Sequence, residues 1–122
     1  MDEAPRHTLS KEERLCGKRA ISALMAGGRW GSCMGLKFCC LRNTGESVDR
    51  IMTTVPKRLF KRAVKRNLLK RRLREAWRTQ KHLFTAEGGT DIMFLYNTQE
   101  IMSSEQVAEA VRGIISQIGS WN

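Results

Sequence analysis

The residues that could do chemistry in this sequence are mostly cations, and they are concentrated in one segment. Between Lys57 and Lys81 the chain contains twelve Lys or Arg and a single acid, Glu75, which gives this segment a net charge of +11. The remaining residues, ten basic and eleven acidic, are nearly neutral overall. Like charges at this density repel one another unless counterions or phosphate groups neutralise them. The charge distribution therefore indicates a polyanionic partner rather than a generally basic protein.

The basic segment is predicted to form one long helix, from about Phe60 to Lys81, with two distinct faces. Leu69, Leu73 and Trp77 recur at helical spacing on a side that can pack on a sheet. A solvated surface helix would carry acids at i+4 to offset its cations, and this segment has one glutamate. Arginine predominates in its middle, which favours forked phosphate contacts, although charge alone does not separate RNA from DNA. The predicted nucleic-acid-binding residues are Arg62, Lys65, Arg66, Asn67, Lys70, Arg71, Arg74 and Arg78.

The other hydrophobic patterns predict an α+β two-layer sandwich with the order helix, strands, helix, strand, helix. Residues 1–9 are expected to be a flexible tail and residues 10–119 a single domain. The expected elements are a helix from the Ser10 capping box to about Ala26, strands at Cys33–Leu41, Arg50–Val55 and Asp91–Tyr96, and a final helix after the Ser103 capping box.

The first predicted strand has two chemically different faces. Its apolar positions include Met34, Leu36 and Phe38, whereas Lys37 and Cys39 alternate with them. The apolar set is expected to pack on the helices, which would leave the face with Lys37 open.

Catalytic and metal-binding patterns are absent from the sequence. There are no paired carboxylates and no nucleophile next to a base, and Asp49 and Asp91 are expected to be cap or turn residues. His82 is expected to compensate the dipole at the end of the basic helix. The four cysteines include no CxxC pair and are expected to be reduced, buried filler without a metal ion. No secretion signal or membrane-spanning run is recognisable, so a cytoplasmic location without membrane contact is expected.

The residues Ala63 to Ala76, AVKRNLLKRRLREA, closely resemble the signature of the bacterial ribonuclease P protein family. The resemblance covers roughly residues 9–118, because Arg14-Leu15, Gly28, Val55-x-Lys57-Arg58 and Asp91-Ile92 stand in the family's order. The sequence also departs from the family pattern. The second arginine of Arg-Asn-Arg is Leu68, a glycine before the helix is Lys61, and Ile21 and Met25 stand where relatives often have aromatic residues.

The resemblance implies a division of labour between protein and RNA. The ribonuclease P RNA subunit would carry the active site and require magnesium, and the protein would have no catalytic residue. The basic helix would bind that RNA, while a groove on the sheet face beside the first helix would bind the 5′ leader of precursor tRNA through Lys37, Lys57 and Arg58. Since Ile21 and Met25 are not aromatic, leader binding is expected to tolerate any base. The family fold also implies a left-handed strand–helix–strand crossover, an exception to the usual hand.

Three other functions are compatible with a basic α+β domain. A ribosomal or other structural RNA-binding protein could share the charge, but it would not be expected to reproduce the whole helix motif. A helix-turn-helix DNA-binding protein needs two short helices joined by a tight turn, which this pattern lacks. A nuclease that acts without RNA needs a carboxylate cluster for its metal ions. Precursor tRNA incubated with the protein, with and without an RNA subunit, distinguishes these functions.

Overall fold

The computed structural model describes residues 13–84 and 88–121, which form a four-stranded mixed sheet with helices on both of its faces. The expected α+β fold with a small mixed sheet is confirmed. The tail predicted for residues 1–9 lies outside the described residues. The elements are α1 (Lys18–Gly27), β1 (Arg29–Cys33), β2 (Leu36–Arg42), β3 (Arg50–Thr54), α2 (Ala63–Gln80), β4 (Thr90–Tyr96) and α3 (Ser104–Gly119), with a short 3-10 turn at Lys81–Leu83.

The strands lie in the order β1-β2-β4-β3. β2 pairs antiparallel with both β1 and β4, whereas β3 and β4 are parallel. The connection between the two parallel strands contains α2, as parallel pairing requires a long crossover. The resemblance implies that this β3–α2–β4 crossover is left-handed. Its handedness stays a prediction.

The prediction of one strand over Cys33–Leu41 is wrong for its first residues, because the chain forms a hairpin turn there. Met34 and Gly35 form a two-residue turn with φ of 50° and 90°, the backbone shape that tight hairpins require. Met34 is therefore exposed in the turn and does not belong to the core face. β1 was not predicted, because its sequence shows no apolar alternation. Its Gly31 leaves room for the Phe38 ring: a Cβ at residue 31 would lie 2.5 Å from Phe38 Cζ.

The first helix also begins later than the Ser10 capping box predicts. Ser10 itself lies outside the described residues, but Arg14 and Leu15 are extended and pair with Ile51 of β3, where the Leu15 N–H donates to the Ile51 carbonyl at 2.7 Å. Pairing at the free edge of β3 takes these residues out of the helix, which starts at Lys18.

Alternation along the strands divides the core into two clusters on opposite faces of the sheet. Leu36, Phe38 and Cys40 pack with α2 and α3, which confirms the expected core face of the first predicted strand. On the other face, Leu24 of α1 packs with Cys39 and with neighbouring apolar residues of β4. α1 therefore covers only part of its face of the sheet.

Asp91 is not the cap or turn residue that the sequence predicts. It lies inside β4 with 2% of its surface exposed, and its two oxygens accept hydrogen bonds from the Arg50 guanidinium at 2.9 and 2.7 Å. The forked partner is what makes a buried carboxylate tolerable there. Asp49 does act in a turn: it accepts a hydrogen bond from the Thr90 N–H, and burial raises its pKa.

The four cysteines are free thiols, and they differ in burial. Cys39 and Cys40 are buried filler, as expected, and burial raises the pKa of Cys40 to about 12. Cys33 is partly buried. Cys16 is exposed, so the expectation of buried filler is wrong for this residue, which lies in the extended segment before α1.

The final helix begins where the sequence predicts. Ser103 and Gln106 exchange the two hydrogen bonds of a capping box, which satisfies two N–H groups that the first turn would otherwise leave without partners. The predicted stripe of Val107, Val111 and Ile114, which continues through Ile115 and Ile118, is buried in the larger core cluster.

Candidate nucleic-acid interface

The basic helix α2 is held on the sheet by one apolar face. Leu69, Leu73, Ala76 and Trp77 are buried, as the helical spacing predicts, and the Trp77 ring contacts the rings of Phe84 and Phe94. Burial of a leucine side chain stabilises the fold by about 1.5–3 kcal/mol. The apolar face therefore fixes which side of α2 points to solvent.

The exposed surface of α2 carries several cations and one acid, Glu75, which is paired with Arg78. Among the residues that the structure describes, four of these cations have no hydrogen-bond or ion-pair partner, and we call them the outer-face cations. All are exposed except one, which is half-buried, and the predicted Asn67 is exposed beside them. Their charges are free to meet phosphate groups. The outer-face cations are Lys65, Lys70, Arg71 and Arg74.

Two of the other predicted cations, Arg66 and Arg78, make contacts within the protein. Arg66 Nη1 donates to the carbonyls of Phe60 and Lys61 at 2.8 and 2.7 Å, so this side chain holds the turn that precedes α2. Arg62 is exposed at the N-cap position. Arg78 forms an ion pair with Glu75, the one acid of the helix. These residues add positive charge to the surface, but Arg66 is also structural.

Arg14 joins this basic surface from a separate element. Arg14 and Arg74 both line a cavity of about 220 Å³ at the free edge of β3, together with Cys16. The sequence places Arg14 in a helix and gives no signal that it approaches α2. The edge pairing with Ile51 is what brings it there.

The three cations predicted for the leader groove lie in two places. Lys37 is exposed on the face of the sheet that α1 partly covers, opposite Leu95 of β4 and in line with Thr54 of β3. Lys57 and Arg58 are exposed in the turn that follows β3. We call Lys37, Lys57 and Arg58 the groove cations.

Trp30 was missed as a candidate site residue because β1 was not predicted. It is 45% exposed and projects from the same face as Lys37, whose Nζ lies 5.9 Å from the centroid of the Trp30 ring. The sequence does contain one signal for this residue, a tryptophan next to a glycine in the short first strand of a hairpin.

Two acids outside the basic surface, Glu13 and Asp49, are engaged in structural contacts. A cavity of about 530 Å³ is lined by Glu13, Asp49 and Lys81. Glu13 accepts a hydrogen bond from the Lys81 ammonium at 2.7 Å, and Asp49 accepts one from the Thr90 backbone. His82 lies exposed in the 3-10 turn after α2. Within residues 13–84 and 88–121, no three His, Cys, Asp or Glu side chains come together in a way that could hold a metal ion.

The helices of the described segments are also unsuited to a bilayer. None of them combines the length and the apolar character that crossing a membrane requires.

Comparison with known proteins identifies the family of this chain. A family model described as Ribonuclease P matches residues 9–119. The chain belongs to the ribonuclease P protein family. It is 31% identical over 134 aligned positions to a ribonuclease P protein component of Chlorobaculum tepidum, an alignment that covers 97% of this chain and 87% of the relative. It is also 35% identical over 85 positions to the Porphyromonas gingivalis protein component, where the match covers 68% of this chain and 62% of the relative.

Solved structures of ribonuclease P proteins have the same fold. The Staphylococcus aureus protein superposes with a TM-score of 0.75 at 20% identity, covering 90% of this chain and 98% of that one. The Thermotoga maritima protein gives a TM-score of 0.74 at 22% identity, covering 86% and 96%. The resemblance that the helix motif indicated is therefore confirmed at the level of family and fold.

Proposed function

We propose that this family member is the protein component of a ribonucleoprotein that removes the 5′ leader from precursor tRNA, with the active site on its RNA subunit. The observation that carries the proposal is the uncompensated positive surface of α2. Four cations of one helix, none of them paired with an acid, repel one another until phosphate groups neutralise them.

The RNA subunit is the partner that we assign to α2. Arginine guanidinium groups fit phosphate oxygens in a forked geometry, and Asn67 adds a neutral donor on the same exposed face. Arg62 and Arg66 extend the surface to the N-terminal end of the helix, where unpaired N–H groups also attract anions. Arg78 extends the surface toward the C-terminal end.

The 5′ leader of precursor tRNA is the partner that we assign to the groove cations. Lys37 lies on an open sheet face, and Lys57 and Arg58 are exposed in the turn after β3, which β4 separates from the strand of Lys37. An open sheet face with cations at its rim suits a single strand, whose phosphates and bases are both accessible.

Catalysis is assigned to the RNA subunit, together with the magnesium ions that it requires. The proposal is supported by the carboxylates Glu13, Asp49 and Asp91, which are engaged in hydrogen bonds within the protein. We propose that the protein assists by neutralising phosphates that would otherwise need additional metal ions. The reaction would take place in the cytoplasm, where precursor tRNA is made in bacteria.

Reconstitution tests this function. The purified protein, an RNA subunit from the same source and precursor tRNA are combined at low and at high magnesium, and release of the 5′ leader is measured. The protein alone should release no leader, and it should raise cleavage by the RNA subunit most at low magnesium. Leader release without RNA would refute the proposal in favour of a nuclease that acts alone. Binding to RNA without any effect on cleavage would favour a structural RNA-binding protein.

A further inference from the structure

The three tryptophans of the chain are placed very differently. Trp77 is buried in the core with 1% of its surface exposed. Trp121 stacks on Phe38, with 5.7 Å between ring centroids. Trp30 is 45% exposed, and no other aromatic ring of the described residues packs against it. Its ring therefore keeps a flat apolar surface available to a ligand.

The backbone holds the Trp30 ring in a defined position. All five residues of β1 pair with β2. Trp30 lies opposite Cys39, and the Cys39 side chain packs against Leu24 of α1. On the reverse face of β1, Gly31 lies against the Phe38 ring, so the strand is seated on the larger core cluster. A stacking surface loses little conformational entropy on binding when its backbone is already fixed.

A cation stands beside the ring. Lys37 is the diagonal neighbour of Trp30 across the β1–β2 pair, a distance that long side chains bridge on one sheet face. Its ammonium group lies 5.9 Å from the Trp30 ring centroid, at the outer limit of a cation–π contact, and it is exposed. One flat apolar group and one mobile positive charge are thus presented side by side to solvent.

This pair matches the two chemical parts of one unpaired nucleotide. The base offers a π-face that stacks on an aromatic ring, and its phosphate offers the negative charge for an ammonium group. Bases inside a duplex are stacked on each other and cannot present that face, so the match is to a single strand.

We propose that Trp30 is the stacking platform for one base of the 5′ leader, with Lys37 on the phosphate of that nucleotide. The proposal rests on the leader-binding function proposed above and adds a specificity to it. The sequence predicts a leader site that tolerates any base, because Ile21 and Met25 are not aromatic. With Trp30, one leader position should prefer purines, whose larger rings overlap the indole more fully than pyrimidine rings do.

Three substitutions separate stacking from apolar contact. Trp30→Ala removes the ring, Trp30→Leu keeps a large apolar side chain without a π-face, and Trp30→Phe keeps a smaller aromatic ring. The reconstituted holoenzyme is used to measure the dissociation constants of precursor and mature tRNA at one salt concentration. The precursors carry adenine, uracil or no base at successive leader positions. Because Trp30 is exposed, all three proteins should fold, which melting curves check.

The expected result is a loss confined to the precursor. Trp30→Ala and Trp30→Leu should weaken precursor binding about 5- to 150-fold, the range that corresponds to one stacked base, and Trp30→Phe about threefold. Binding of mature tRNA should not change. At one leader position, removal of the base should weaken the wild type by a similar factor and leave the Trp30→Ala holoenzyme unaffected, as expected for two partners of one contact.

Two results would overturn the stacking site without touching the proposed function. One is a Trp30→Leu holoenzyme that binds every precursor as the wild type does, while the wild type still prefers precursor over mature tRNA. The other is a loss in Trp30→Ala that is equal for precursor and mature tRNA, which would place the residue outside the leader site. A wild-type protein that does not bind the RNA subunit would refute the proposed function and this inference together.

Discussion

Neutralising the outer-face cations of α2 should lower the salt dependence of RNA binding by a calculable amount. The change is the quadruple substitution of Lys65, Lys70, Arg71 and Arg74 by glutamine. These side chains have no partner among the described residues and belong to no core cluster, so the fold should survive. Removing i,i+4 repulsion, as between Lys70 and Arg74, should even stabilise the helix by about 0.2–0.5 kcal/mol.

The magnitude follows from the release of counterions. Each phosphate contact contributes about 0.7–0.9 to the slope of log affinity against log salt, so four contacts contribute about 2.8–3.6. Between about 50 and 200 mM salt, the wild type should therefore lose about 50 to 150 times more affinity than the quadruple variant.

The assay is binding of the protein to the RNA subunit alone at several salt concentrations. A matched pair of double variants controls for total charge: Lys70→Gln with Arg71→Gln on α2, and Lys18→Gln with Arg19→Gln on α1. All four side chains project from helices, the two α1 residues are exposed, and α1 packs on the opposite face of the sheet from α2. The first double variant should reduce the slope by about 1.4–1.8, whereas the second should leave it unchanged.

Equal slopes for the two double variants would refute the reasoning. That result would mean that the RNA responds to the overall charge of the protein and not to the outer face of α2. An unchanged slope in a folded quadruple variant would show that the RNA binds a different surface.

Four further predictions concern the leader, the buried ion pair and the thiols. Alanine at all three groove cations should weaken holoenzyme binding to precursor tRNA and spare mature tRNA; equal losses would place these cations outside the leader site. Arg50→Met should lower the free energy of unfolding in urea by about 3–5 kcal/mol, because it leaves Asp91 buried without its partner, and a loss below about 1 kcal/mol would contradict this account. In the native protein Cys16 should react with a thiol reagent before any other cysteine, and Cys16→Ser should abolish that fast reaction. Burial raises the pKa of Cys40 from 9.0 to about 12, so in this pH range the folded state keeps a proton that the unfolded chain loses. The free energy of unfolding should therefore fall as pH rises through this range, and it should fall less in the Cys40→Ala variant.

Where local chemistry decides the structure, the sequence predicts it well. The inner face of α2, the buried strand β4 and the Ser103 capping box all follow from spacing that a short window of sequence contains. The signature in α2 indicates the family for the same reason, because the motif lies within one helix.

Partners that are distant in sequence account for the errors. Arg14 and Leu15 are extended because Ile51 pairs with them, and Asp91 can be buried because Arg50 lies opposite on β3. Trp30 was missed as a site residue for the same reason, because β1 is a strand only through its pairing with β2. In each case the deciding contact joins two parts of the chain that no helical or strand period connects.

The order of the strands constrains the order in which the protein can fold. β4 is the last strand to be synthesised, yet it lies between β2 and β3. A growing chain that ends before Thr90 can form the β1–β2 hairpin, but it lacks the strand that joins β3 to that hairpin. α2 is complete by then, and α3, which shares its core, is not yet made. The most positively charged part of the protein is thus synthesised before its apolar side can be buried, so on the ribosome this helix is exposed to RNA before it belongs to a folded domain.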